Sequence, residues 1–191
     1  MSEDRRILAI DPALGCTGFA VVIGTIQKPV LLSAGRIRLK IKDKDKDNKD
    51  LLAQRCIGLY NDVADLVQEF DPDLAVVELP QTFSIGFGSK RSAATLPGYG
   101  MAVAAALFGL RTGLRVTPNG AKLRAVLTPS ASEWTKGFPK TKGDPDKVAR
   151  VHHAAYLFGT IPRHFGCKSD AGNVADAALL GFWAMGQEVK G

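Results

Sequence analysis

Three carboxylates stand where an apolar residue would be expected. Asp11 closes the run "ILAI", Glu78 closes "LAVV", and Asp176 lies inside "GNVADAALLGFWAMG". A buried carboxylate without a compensating partner is costly, so each of these acids calls for one. Brought into one cleft, the three would repel one another and resist ionising. A divalent cation removes that conflict. All-oxygen ligands suit Mg²⁺, with Mn²⁺ able to substitute, and Mg²⁺ keeps open positions for water and for phosphate oxygens. The chemistry implied is therefore metal-assisted attack at a phosphate, with Asp11, Glu78 and Asp176 as ligands. Asn173, three residues before Asp176, shares its helix face and is a further ligand or the holder of a metal-bound water. Asp170 is an additional, less well aligned acid. Each acid taken singly has a plainer reading. Asp11-Pro12 is also a strand-end turn, Glu78 a partner for Lys90 or Arg91, and Asp176 half of a buried salt bridge. The joint pattern is more specific: two strand ends and one apolar helix each carry one acid.

The elements that must position these residues follow from periodicity. "ILAID" (7–11) and "LAVVE" (74–78) read as central strands, and "TGFAVV" (17–22) as the second arm of a hairpin. "RIRLKIK" (36–42) alternates basic and apolar residues and is expected to be a third, half-exposed strand, with Arg36, Arg38, Lys40 and Lys42 on one face. The charge run 43–50 is expected to be a loop with Asp50 as a helix N-cap, followed by a helix over 51–70. A Gly/Ser loop spans 81–92, a helix rich in small residues 93–111, kinked at Pro97, and a fifth strand "LRVT" 114–117. Residues 119–127 suggest a helical turn or two, 129–143 lack periodicity, and helices cover 144–158 and 172–186. The order predicts an α/β fold: one domain over residues 1–191, a mixed five-stranded sheet flanked by helices on both faces. Parallel neighbours ending in Asp11 and Glu78 would present both acids at one sheet edge, where α/β sites form.

Lys and Arg outnumber Asp and Glu by 25 to 19, a net +6 that favours a polyanionic partner, nucleic acid before membrane. Three cysteines without a C-x-x-C pair suggest a reducing compartment and no structural zinc. "MSEDRR" leads into a strand and not a signal-peptide core, and no apolar run spans a bilayer, so an intracellular protein is expected, in the cytoplasm or nucleoid of a bacterium or from a virus.

"ILAIDPALGCTGFAVV", "LAVVELPQTF" and "NVADAALLGFWA" resemble the three acidic motifs of RuvC-type Holliday junction resolvases, which have a ribonuclease H-like fold. "VTPNGAKLRAVL" (116–127) and "KGDPDKVARV" (142–151) are similar to the segments that carry that family's functional lysines, so the resemblance runs from about residue 6 to 187. It implies that Asp11, Glu78 and Asp176 are metal ligands, whereas Asn173 stands where a fourth acid, sometimes a histidine, is usual. It implies two Mg²⁺ per site, Lys147 and Lys122 near the scissile phosphate, and Phe83, or Phe87, as the aromatic that wedges into the junction. A homodimer matches the two equivalent strands of a four-way junction.

Phosphate contacts without sequence preference are expected from Lys90, Arg91, Lys122, Lys136, Lys140 and the basic face of 36–42. Trp134 and Phe138, in a basic segment, lean toward DNA contact, whereas His152 and His153 read as structural and His164 has no assigned role. Recombination or replication partners are not specified. Three alternatives stand beside the resolvase. A flap- or fork-type endonuclease of the same fold is the nearest, and a non-catalytic branched-DNA-binding protein is kept open by Asn173. A phosphotransferase of the actin or sugar-kinase type needs two such domains, for which 191 residues leave little room.

Overall fold

The computed structural model describes residues 5–13, 15–38, 49–79, 96–116, 123, 125–138, 146–160, 165 and 171–188. Five strands, β1 (Arg5–Asp11), β2 (Thr17–Thr25), β3 (Lys28–Ile37), β4 (Leu74–Val77) and β5 (Ala125–Leu127), form one sheet in the order β3-β2-β1-β4-β5. β1 and β2 pair antiparallel, as do β2 and β3, while β1–β4 and β4–β5 are parallel. Five helices accompany it: α1 (Lys49–Phe70), α2 (Leu96–Val116), α3 (Ala131–Trp134), α4 (Asp146–Leu157) and α5 (Ala171–Met185). The expected α/β architecture, a mixed five-stranded sheet with helices on both faces, is the one observed.

The central strands are apolar at every position because both faces are covered. Ile7, Ala9, Leu74 and Val76 pack with Ala20 and Val22 against α4 and α5, in a core that includes Trp134 and Phe165. Leu8, Ile10, Ala75 and Val77 pack with Val21 against α1 and α2, through Leu59, Val63, Val67, Ala102, Ala106 and Leu110. Successive side chains on a strand alternate between these two cores. That alternation decides where the residue following each strand points.

Four sequence expectations are corrected. The third strand is Lys28–Ile37, which shares only Arg36 and Ile37 with the expected 36–42; residues 39–42 lie outside the described residues. Its register with β2 starts at Thr25↔Lys28, so a tight two-residue turn, not the basic alternation, fixes it. Leu114 to Val116 belong to the end of α2, and the fifth strand is Ala125–Leu127, which had read as helical. The run "AVL" is too short to carry a period, and pairing with β4 makes it a strand. Asp50 lies inside α1, whose first residue is Lys49, and so does not cap it. Pro97 falls in the first turn of α2, where its missing N–H breaks no helical bond, so it produces no mid-helix kink.

Candidate functional site

Asp11 is the last residue of β1, and the Glu78 N–H donates to the Ile10 carbonyl oxygen (3.1 Å), extending the β1–β4 ladder one step beyond Ile10↔Val77. The two acids thus end neighbouring parallel strands. Because Ile10 and Val77 face α1 and α2, the next residue on each strand faces the opposite side, the side covered by α5. The turn after Asp11 is held by the buried Thr17, whose hydroxyl donates to the Ala13 carbonyl (2.8 Å) and accepts from the Ala13 N–H (3.0 Å). This pair of hydrogen bonds closes the turn at Ala13.

α5 reaches the same end through a close backbone approach. Asp11 pairs with Gly18 of β2, and a Cβ on Gly18 would lie 2.0 Å from the Asn173 carbonyl oxygen. Only a residue without a side chain lets the helix backbone rest there. The Asn173 amide then donates to the Cys16 carbonyl (2.6 Å), tying α5 to the Asp11 turn. One helical turn on, Asp176 is buried at 7% exposure among Ala175, Ala177, Leu179 and Leu180. Arg36 of β3 pairs with Gly18, so the same row continues to an exposed arginine at the sheet edge.

Each engaged acid has a partner that the sequence reading did not name. The buried Trp134 indole N–H donates to Glu78 Oε2 (3.0 Å). β4 and β5 extend as a Leu79↔Ser130 bridge, which carries α3 directly to Glu78. The Glu133 carboxylate accepts from the Ser130 N–H and hydroxyl (2.7 Å each), closing the turn that starts α3 and holding its own carboxyl below the usual range. Arg150 of α4 approaches Asp176, with Nε 2.8 Å from Oδ1. The two atoms are close but not aligned as a directed hydrogen bond, so charge joins them. Neither partner is legible in the sequence, because the indole lies 56 residues from Glu78 and Arg150 meets Asp176 only where α4 packs on α5.

Trp134 and Phe138 pack into the apolar core, against the expectation that they lean toward DNA. Trp134 is 1% exposed, and Phe138 packs edge-on against Trp134 and His153. Apolar packing outweighs the basic neighbours that suggested a nucleic-acid role. Burial pushes His153 below its ordinary range, while His152 is exposed. Lys136 is exposed in the 3-10 turn after α3, and Lys147 lies in the first turn of α4. Phe83, Phe87, Lys90, Arg91, Lys122, Lys140, His164 and Asp170 lie outside the described residues.

Among the described residues, no three His, Cys, Asp or Glu side chains are gathered closely enough to hold one ion. The backbone nevertheless brings Asp11, Glu78, Asn173 and Asp176 to one end and one face of the sheet. Their oxygen donors are the type that binds Mg²⁺, and a buried Asp176 on the face of two further acids requires positive charge. The donor set fits a divalent cation. In this structure the charge at Asp176 comes from Arg150.

No family model matches the chain. The crossover junction endodeoxyribonuclease RuvC of Cupriavidus necator is 32% identical over 106 residues, a stretch covering 51% of this chain and 54% of that protein. The chain thus matches about half the length of this relative. Among solved structures, T. thermophilus RuvC in complex with a Holliday junction superposes with a TM-score of 0.63 at 16% identity, covering 94% of this chain and 93% of that one. The yeast mitochondrial Holliday junction resolvase Ydc2 superposes with a TM-score of 0.56 at 16% identity, over 95% and 78% of the two chains. The resemblance to RuvC-type resolvases carried by the acidic motifs is therefore matched in sequence and in fold. No helix among the described residues is long and apolar enough to cross a membrane.

Proposed function

We propose that the chain is a divalent-metal-dependent endonuclease that resolves four-way DNA junctions by paired, symmetric nicks. The observation that carries this reading is the placement of Asp11, Glu78 and Asp176 on one face at one end of a RuvC-like sheet. Asp11, Glu78 and Asp176 would hold Mg²⁺ or Mn²⁺, with Asn173 as a fourth oxygen donor. Bound there, two such ions supply charge at the phosphate oxygens and ready a water for attack. Asp11, at the end of the central strand, would be a principal ligand of that site. Thr17 fixes the Asp11 turn, and Trp134 fixes the orientation of Glu78. Lys147 neutralises charge developing on the phosphate. Exposed Arg36, Arg38 and Lys136, together with Lys90, Arg91, Lys122 and Lys140, bind backbone phosphates, and Phe83 stacks on unpaired bases at the crossover.

The whole of residues 1–191 is read as one nuclease domain that works as a homodimer inside the cell. Met101 and Phe108, seven residues apart on α2, are exposed apolar side chains on one helix face, and they support a second copy as partner. The Arg150–Asp176 contact favours a second reading, a branched-DNA-binding protein that does not cut. A cleavage panel separates these. Four-way junction, flap, fork and duplex DNA are incubated with the protein in Mg²⁺, Mn²⁺ or EDTA. Paired nicks confined to the four-way junction and silent in EDTA are expected. Preference for flap or fork indicates the related endonuclease, and binding without nicks in either metal indicates the non-catalytic protein.

A further inference from the structure

Asp176 and Arg150 join α5 to α4, with side-chain exposures of 10% and 24%. A carboxylate this far from water is stable as an anion only beside positive charge. The sheet side of Asp176 cannot supply it, because the strands there end in Asp11 and Glu78. Arg150 supplies it. An arginine keeps its charge at any working pH, so the compensation is permanent. Its Nε lies 2.8 Å from Asp176 Oδ1 without the alignment of a hydrogen bond. An ion pair between these two side chains is one that another cation can take over.

We propose that Arg150 is a resident counter-ion that competes with the divalent metal for Asp176, so that the metal threshold of the site is set by displacement of the guanidinium. This rests on the metal reading given above. Without metal, Arg150 keeps the acidic end folded and neutral. Metal enters by taking over Asp176, and the unfavourable approach of two cations raises the concentration required. Loss of the arginine's charge therefore tightens metal binding and leaves the metal-free protein less stable. A positioning residue would do the opposite to affinity.

Mn²⁺ binding is measured by electron paramagnetic resonance on the DNA-free protein, for wild type, Arg150→Gln, Arg150→Lys and Asp176→Asn. Arg150→Gln is expected to bind Mn²⁺ at least about tenfold more tightly, and Arg150→Lys, which keeps the charge, within about threefold of wild type. Asp176→Asn should weaken binding. On the wild type, the Arg150 Nε–H resonance should shift on Mg²⁺ addition with the midpoint of metal binding. This measurement carries the test if Arg150→Gln does not fold. Equal or weaker Mn²⁺ binding by a folded Arg150→Gln overturns the proposal while leaving the metal site standing. So does an Arg150 resonance that is unmoved at saturation. Absence of Mn²⁺ binding by wild type, or indifference to Asp176→Asn, overturns the metal reading itself and this proposal with it.

Discussion

The strand side and the helix side of the candidate site are built by different means. Asp11 and Glu78 are fixed by the β-ladder, and neutral groups brace them: Thr17 ties the turn beyond Asp11 through Ala13, and the Trp134 indole donates to Glu78. Asp176 is fixed by helix packing, and its partner is a full charge, Arg150. Strand ends lie at the rim of the core, where an acid can be part-exposed, and both strand acids are half-buried. The helix crosses the sheet and leaves its acid deep in the apolar layer. Depth, more than residue type, decides whether a dipole or a charge must hold a carboxylate.

That contrast can be broken at its strongest point by Asp11→Asn. Loss of a strand ligand should lower junction cleavage by roughly 10³-fold, the several kcal/mol that a metal ligand supplies, with junction binding in a gel-shift assay unchanged. Cleavage at the wild-type rate would move the reaction centre away from the strands. Next in size is Gly18→Ala, which drives a methyl into the Asn173 carbonyl, backbone against backbone. It should cost ~1–3 kcal/mol in thermal or denaturant unfolding and separate α5 from the strand acids. An unchanged midpoint would show that the two sides are not in such tight register. Trp134→Phe keeps most of the apolar volume and removes the donor to Glu78. About ten times more metal should then be needed for half-maximal cleavage, a loss typical of groups that orient metal ligands. An unshifted titration would mean that Glu78 needs no orienting dipole.

The smallest effect concerns His153. Burial lowers its folded pKa below the ordinary 6.5, so the unfolded chain binds more protons in the window beneath that value. Stability is fully present above pH 6.5 and falls as the pH drops through the window. His153→Gln should flatten the fall, seen as a smaller difference between denaturation midpoints at pH 5 and pH 7.5. An identical difference would show that the α4 side does not feel this proton.

Much of the fold was legible because its central elements obey one period. The runs at 7–10 and 74–77 are doubly covered strands, and α1 and α5 announce their faces. β5 failed because three residues cannot display a period, and β3 because a basic alternation at its end outweighed the apolar stretch before it. The acids were visible as exceptions to apolar patterning. Their partners were not, since a tryptophan 56 positions after Glu78 meets it only through β4–β5 pairing. Arg150 meets Asp176 only because α4 packs on α5, a contact between residues 26 positions apart.

The β1–β4 pairing unites residues far apart along the chain, and α5, which completes the acid set, is made last of all the described elements. During synthesis the ribosome therefore releases both strand acids well before Asp176 emerges. A nascent chain stalled before residue 171 carries only two of the three acids of the candidate site, and the third arrives when the helix docks over Gly18. The order of the elements alone thus delays the full acid set until synthesis is nearly done.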